Sequence, residues 1–547
     1  MDRLLLDQGR VALERERGLW PGKVITDYLD RWVLEKPEAV ALISWREESQ
    51  TCVRLSFREL AERAARASRA LSLAGVSRGE VVSFQLPNCW QFVAAHLACV
   101  RLGAVSNPLM PIFRHRELAF MLRHGDARVL IAPASFRGFD HGALARQLGR
   151  ELPGLARVLL VDDDSDDSFE AALAAAAGGE ECARGARLEP NDVMQLMFTS
   201  GTTGESKGVL HTSNTLLSAV REYARHMDIG AADVIFMPSP LGHQLGFCYG
   251  LQMALMLGIP LVLTDVWQPE RALELMREHG ATFTFGATPF LADLASLPGV
   301  ERRRPPRLRM FASSGAPIPP AVVEAARTRL GVAVATCWGM TECASVTITP
   351  PDETKVLESD GCALPNGEVR VIGADGGEAP RGTQGALQVR GSSLFVGYLK
   401  RRELSRLEEG GWFDTGDVAR MDEEGYIRIC GRSKDVIIRG GENIPVVEIE
   451  SALYRMPEIA DAAVVAMPDP RLQERACAFV ALRPGSQLSL AAVCKHLAAE
   501  GFSKHFWPER LEIVEQMPRT PTGKIQKFVL REAAKKLAPE GSEAVNF

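Results

Sequence analysis

Helical periods alternate with short apolar runs along most of the chain, and that alternation restricts the fold more than any other feature. Residues 60–73 have the spacing of an amphipathic helix, whereas 81–86 and 129–132 are short and apolar enough to be buried strands. Repeated alternation between about Tyr28 and Ala132 implies parallel sheet covered by helices. A second series of the same kind runs from Val193 to about Ala344. Residues 251–263 include Gln252, Gly258 and Pro260, so they read as a buried helix running into a strand and not as a membrane span. After Ala344 come short Gly-rich strands at 368–372, 385–390 and 426–429, consistent with a small β subdomain.

Near Gly431 the pattern becomes compact α+β: helix 446–454, strands 462–467 and 476–482, helix 489–500 and strand 510–514. The expected fold is therefore α/β and α+β, with two layered α/β sheets and a small β subdomain in a large N-terminal body over 1–431. A boundary at 432–435 leads into a small C-terminal domain over 436–547.

Composition removes several function classes. A net charge of −6 provides no basic field for nucleic acid. The 11 cysteines form no C-x-x-C pair, a usage that fits a reducing cytosol better than a disulfide or zinc framework, and the ten histidines are dispersed. Residues 1–22 mix Arg and Glu without the apolar core of a signal peptide, so a cytoplasmic protein without transmembrane segment is expected.

One loop carries the clearest chemistry. Phe198-Thr199-Ser200-Gly201-Thr202-Thr203-Gly204-Glu205-Ser206-Lys207-Gly208 follows an apolar strand at 193–198. Its glycines admit close backbone N–H approach, its hydroxyls donate, and Lys207 brings charge, a combination suited to a polyphosphate. A helix is expected after His211-Thr212-Ser213-Asn214, which places the loop between strand and helix. It is not a Walker A loop, because Ser206 precedes the lysine and Gly208 follows it.

Five further clusters are weak singly. Trp338-Gly339-Met340-Thr341-Glu342 offers an aromatic plane, a hydroxyl and a carboxylate able to hold phosphate-bound Mg²⁺; alone it also fits a buried aromatic beside a helix start. Ser314-Gly315-Ala316-Pro317 is a turn at a strand's C-terminal end, where α/β sheets bind ligands. Asp417 and Arg432 pair a carboxylate with a guanidinium, a means of holding ribose hydroxyls or simply a surface ion pair. Gly440-Gly441 permits close approach or a hairpin turn. Lys524, on the stiff loop Pro518-Arg519-Thr520-Pro521-Thr522-Gly523-Lys524, is either solubilising or aimed at developing phosphate charge.

Taken in this order, the motifs resemble the adenylate-forming superfamily of acyl-CoA synthetases, amino-acid adenylation domains and beetle luciferases, over about Tyr28 to Leu537. Gly18-Leu19-Trp20, Gly286-Ala287-Thr288-Pro289-Phe290 and Thr522-Gly523-Lys524-Ile525-Gln526-Lys527 look most like bacterial short/medium-chain fatty acid and cyclohexanecarboxylate CoA ligases. The resemblance implies ATP, Mg²⁺ and coenzyme A as reactants and cofactor, with a small-molecule carboxylic acid as substrate. It implies that Thr199, Ser200, Gly201, Thr202, Thr203, Gly204 and Lys207 cover the ATP phosphates. Gly315, Ala316 and Pro317 would wall the adenine and Trp338 would stack on it, followed by Gly339 and Met340. Thr341 would contact the α-phosphate and Glu342 would bind the metal. Asp417 and Arg432 would hold the ribose, and Lys434 falls on the hinge about which a mobile C-terminal domain swings. Lys524 would stabilise adenylate formation, and Gly441 would line the pantetheine tunnel.

On the acid side the resemblance makes His243 a gate beside the acyl pocket. Phe247, Phe285, Gly286, Ala287 and Gly339 complete the pocket candidates. None is charged, so a medium-chain, alicyclic or other bulky neutral-tailed acid is expected, with small residues leaving room for a ring. Two departures touch the ATP side: Ser206 stands where the family often has proline, and Trp338 where many relatives have tyrosine. The rival readings are a relative with one impaired half-reaction, an amino-acid adenylation domain, a luciferase-type oxygenase, and a nucleotide binder without turnover. Against the adenylation domain, 236–239 and 241–247 hold no aspartate for a substrate ammonium; against the binder, Lys524, Glu342 and Asp417 are intact.

Overall fold

The computed structural model describes residues 5–178, 187–199, 206–314, 318, 320–350, 353–432, 437–439, 442–519 and 525–537. The helix expected at 60–73 spans Phe57–Leu73. It starts where Ser56 Oγ accepts the Glu59 N–H at 3.2 Å and a Glu59 carboxylate oxygen accepts the Ser56 N–H at 2.8 Å, a reciprocal cap. Phe57, Leu60, Ala64, Ala67 and Leu71 form its buried stripe. The stripe packs on helix Trp90–Leu102, which is apolar nearly all round and almost wholly buried. That helix stops at Gly103, whose φ of 70° a residue with a side chain adopts only at a cost.

Two large sheets form the body. One has nine strands, with a parallel centre running Ala333–Met340, Met310–Ser314, Phe283–Gly286, Ile235–Met237, Leu261–Thr264 and Val40–Arg46, and antiparallel strands at both edges. The other has seven, with Val81–Phe84 at its parallel centre between Val105–Pro108 and Ala127–Pro133.

The two sequence series do not map one to a sheet. Val40–Arg46 and Thr51–Ser56, from the first series, join the nine-stranded sheet through the pair Leu42↔Leu261. Val193–Phe198, from the second, joins the seven-stranded sheet through Ser106↔Gln195. Apolar periodicity reports that a strand is buried; it does not encode its ladder partner, since parallel neighbours are joined by crossovers of free choice.

The 251–263 expectation holds in substance. A π-helical turn, Phe247–Gln252, continues as helix Met253–Leu257 and then strand Leu261–Thr264. The small β subdomain is a four-stranded antiparallel sheet of Gly367–Ile372, Gly385–Gly391, Phe413–Met421 and Ile427–Arg432. Beyond it, a five-stranded sheet includes the long pair Ile459–Asp469 and Gln473–Leu482, with helices Val446–Leu453, Leu490–Ala499 and Lys527–Lys536.

Candidate active site

The phosphate-loop motif joins two antiparallel strands, not a strand and a helix as its sequence suggested. Val193–Phe198 pairs with Gly208–Thr212 in the register Phe198↔Gly208, both strands fully buried. The helix Ser213–His226 begins only after the second strand, where Thr212 Oγ1 accepts the Thr215 N–H at 3.2 Å. The physical reason is that Val209 and Leu210 bury as strand residues before the capping threonine arrives. The start of that helix is thus separated from the end of the loop by the strand Gly208–Thr212. At the base of the loop the Thr199 N–H donates to the Lys207 carbonyl at 2.9 Å. Ser200, Gly201, Thr202, Thr203 and Gly204 lie outside the described residues.

Lys207 is aimed at Glu342 by a residue that sequence reasoning missed. The Tyr398 phenol donates to Glu342 Oε1 at 2.7 Å and accepts from Lys207 Nζ at 3.0 Å. The ammonium also lies 4.4 Å from the Tyr398 ring centroid and 3.7 Å from Glu342 Oε1. Tyr398 reaches this position because Gly397–Tyr398 adds to the edge of the loop hairpin, with Tyr398 opposite Val209. Burial first, and the Glu342 carboxylate next, push the phenol pKa well up, so it stays protonated and donates. The signal was a lone tyrosine in the apolar run 394–399, which carries no motif.

Thr341 and Glu342 form the turn after strand Ala333–Met340. The Thr341 carbonyl accepts from His211 Nε2 at 2.7 Å, and His211 Nδ1 lies 3.0 Å from Thr215 Oγ1. A carbonyl can only accept, so Nε2 carries the proton and Nδ1 is the acceptor. Burial brings His211 down to about 4 and keeps it neutral. Gly339 is obligatory: a Cβ there would lie 2.0 Å from the Ala344 carbonyl oxygen, where the antiparallel partner strand shifts register. Among the described residues no cluster of His, Cys, Asp and Glu could hold a metal by itself. Glu342 is a single hard-oxygen donor, which suits Mg²⁺ shared with phosphate oxygens.

Asp417 and Arg432 are opposite each other on adjacent strands, with Arg432 Nε donating to Asp417 Oδ1 at 3.1 Å. The Trp338 indole N–H donates to the other oxygen at 2.9 Å.

Phe285, Gly286 and Ala287 lie at the C-terminal end of strand Phe283–Gly286, beside the parallel strand Ile235–Met237, where such sheets bind ligands. His243 follows strand Ile235–Met237 and caps the short helix Gln244–Gly246, its Nδ1 accepting the Leu245 N–H at 3.3 Å. The segment before it is pinned by Asn88, also missed from sequence: its amide donates to the Met237 and Ser239 carbonyls at 3.3 and 3.0 Å and accepts the Leu241 N–H at 2.7 Å. Ala287 is part-exposed. Phe247 and Phe285 are fully buried, Phe247 edge-on to His96 and Phe285 stacked on Tyr223. Phe285 is thus part of a packed aromatic wall with Tyr223 and Tyr249. The room expected beside Gly286 is taken by Phe290, whose Cδ2 would lie 2.7 Å from a Cβ at that position.

Gly315, Ala316, Pro317, Lys434, Gly441 and Lys524 lie outside the described residues. Strands Ile437–Arg439 and Glu442–Ile444, on either side of the glycine pair, are antiparallel partners.

Comparison with known proteins identifies the family of the chain. The AMP-binding enzyme family matches residues 29–399, and the AMP-binding enzyme C-terminal domain matches 448–524. The chain is 34% identical over 534 residues to a medium-chain fatty-acid–CoA ligase of Escherichia coli strain K12, covering 96% of this chain and 93% of that one. It is 33% identical to a salicylyl-CoA synthase/salicylate adenylyltransferase of a Streptomyces species, covering 95% of each. The ATP-bound MatB of Rhodopseudomonas palustris superposes with a TM-score of 0.83 at 28% identity, covering 94% of this chain and 99% of MatB.

Proposed function

The chain belongs to the AMP-binding enzyme family as an AMP-forming acid–CoA ligase using ATP, Mg²⁺ and CoA, and on that premise we propose how its residues divide the work. The observation that carries the assignment is the meeting of Lys207, Tyr398 and Glu342, brought from three distant parts of the chain to one point.

In the first half-reaction a carboxylate oxygen of the acid bonds to the ATP α-phosphorus and the bond to the β-phosphate bridge breaks, releasing pyrophosphate. Anion approaches anion, so the chain must offset repulsion and hold the two in line. Lys207, with Thr199–Gly204, binds the phosphates; Thr341 contacts the α-phosphate; Asp417 and Arg432 hold the ribose. Mg²⁺, when bound, neutralises phosphate charge, and Glu342 is the residue that would hold it. Lys524 supplies a further cation to the developing charge. The C-terminal domain, 436–547, then turns about 432–435 at Lys434, and Gly441 admits the CoA thiol. Sulfur bonds to the acyl carbon, the carbon–oxygen bond to AMP breaks so that AMP leaves as a phosphate anion, and the thiol proton passes to solvent water.

The acid is a compact neutral one, ring-bearing or of medium length. The Tyr223, Tyr249 and Phe285 wall supports compactness, and the uncharged residues around His243 support a neutral tail. The ten described cysteines are all free, which supports a reducing, cytoplasmic setting; among the described residues no helix is long and apolar enough to cross a membrane.

CoA-dependent AMP release across linear, alicyclic and aromatic acids tests the reading, with Lys524→Ala as the internal probe. The variant is expected to lose about 10²–10³ in adenylation rate, as for a comparable preorganised donor, yet form thioester from supplied acyl-adenylate. Equal damage to both half-reactions, or turnover only of long unbranched acids, overturns the corresponding part.

A further inference from the structure

Trp338 meets the nucleotide site through its edge. Only 8% of the residue is exposed, and it belongs to a buried cluster that includes Val209, Val346, Phe395 and Phe413. The indole nitrogen donates to Asp417 Oδ2 at 2.9 Å while Arg432 Nε donates to Oδ1 at 3.1 Å. These donors come from two sheets: Trp338 from the nine-stranded one, Arg432 from the strand beside Asp417 in the four-stranded one. A carboxylate accepts about four hydrogen bonds. One donor on each oxygen therefore leaves each oxygen with acceptor capacity, and two donors from separate sheets fix the plane in which it points. Hydrogen bonds to an ionised acceptor are the strong kind, so the plane is held firmly.

We propose that Trp338 is a positioning residue for sugar recognition: its N–H holds the Asp417 carboxylate in the orientation that meets the 2′- and 3′-hydroxyls of the nucleotide. The proposal rests on Asp417 being the ribose-binding carboxylate. It predicts that the ring's hydrogen-bond donor sets the preference for an intact ribose.

Two changes remove the donor. Trp338→Phe keeps an aromatic face, and β-(3-benzothienyl)alanine incorporated at position 338 keeps the indole shape as well, which protects the test against a folding defect. Calorimetric Kd values for ATP, 2′-deoxyATP, 3′-deoxyATP and GTP are compared, together with pyrophosphate exchange. The preference for ATP over either deoxynucleotide is expected to fall about tenfold in both variants, with the preference for ATP over GTP unmoved. Asp417→Asn is expected to lose the same preference, and adding Trp338→Phe to it should change nothing more. Weakening of all four nucleotides alike, with the deoxy preference intact, overturns the positioning role. If Asp417→Asn itself keeps the deoxy preference, the ribose assignment falls instead, and the two failures are distinguishable.

Discussion

Tyr398 shows how much a single hydroxyl can organise. It takes a hydrogen bond from the phosphate-loop lysine and gives one to the buried carboxylate of Glu342. Without it the two charges still attract, but across 3.7 Å and with nothing to fix their geometry. Hydrogen bonds to charged partners contribute about 1.5–3 kcal/mol, so Tyr398→Phe is expected to lower kcat/KM for adenylation by roughly 10–100-fold. Pyrophosphate exchange would record this, and thioester formation from supplied acyl-adenylate should be spared. An unchanged exchange rate would mean that Lys207 and Glu342 align unaided. At this scale the sequence was uneven. Glu342, Asp417 and Lys207 stood out because charge within Gly- and hydroxyl-rich segments is chemically conspicuous. Tyr398, Asn88 and His211 did not, since their roles are created by neighbours 56 to 191 residues away that no local pattern records.

At the scale of elements, periodicity identified most helices and strands, while their connections were less legible. The phosphate-loop motif suggests a following helix because a capping threonine and an apolar-periodic run do come after it. The intervening strand Gly208–Thr212 offers only two apolar side chains, Val209 and Leu210, between a glycine and His211, so it does not declare itself. The strand Phe413–Met421 is faint in the sequence, because Asp414, Gly416 and Asp417 interrupt its alternation. The acid-side elements lead to a prediction. Strand Phe283–Gly286 ends in a glycine against which Phe290 of helix Thr288–Ser296 lies, and Phe290 in turn packs on Trp267 at 4.6 Å. Gly286→Leu must displace Phe290, at about 1–3 kcal/mol of overpacking, and is expected to narrow acid preference towards slimmer acids. Denaturant unfolding and an acid panel measure the two effects. A rise in KM for ATP with the acid ranking unchanged would put Gly286 on the nucleotide side.

For the molecule as a whole, buried histidines contribute to the response to acid. His96 Nε2 accepts from the Gln252 amide at 2.8 Å, its Nδ1–H donates to Ser106 Oγ at 2.9 Å, and burial lowers it to about 3. His211 is lowered to about 4. Once unfolded, both return towards the ordinary 6.5 and take up protons that the native state refuses. Stability is therefore complete above about pH 6.5 and falls as pH drops towards 4, by about 1.4 kcal/mol per unit for each histidine. Denaturant unfolding at pH 7.5, 6 and 5 checks this, and His96→Gln should make the decline shallower. Stability independent of pH over that span would refute it.

The exchange of strands between the two large sheets governs how the protein must be made. Val40–Arg46 leaves the ribosome early, but its parallel partner Leu261–Thr264 is synthesised more than two hundred residues later. The seven-stranded sheet likewise waits for Gly397–Tyr398 to cover its last edge. No early fragment of the nascent chain can therefore complete either sheet, and apolar strand edges stay open through most of translation. Expression yield, more than the stability of the finished enzyme, should be where slowed or truncated synthesis is felt.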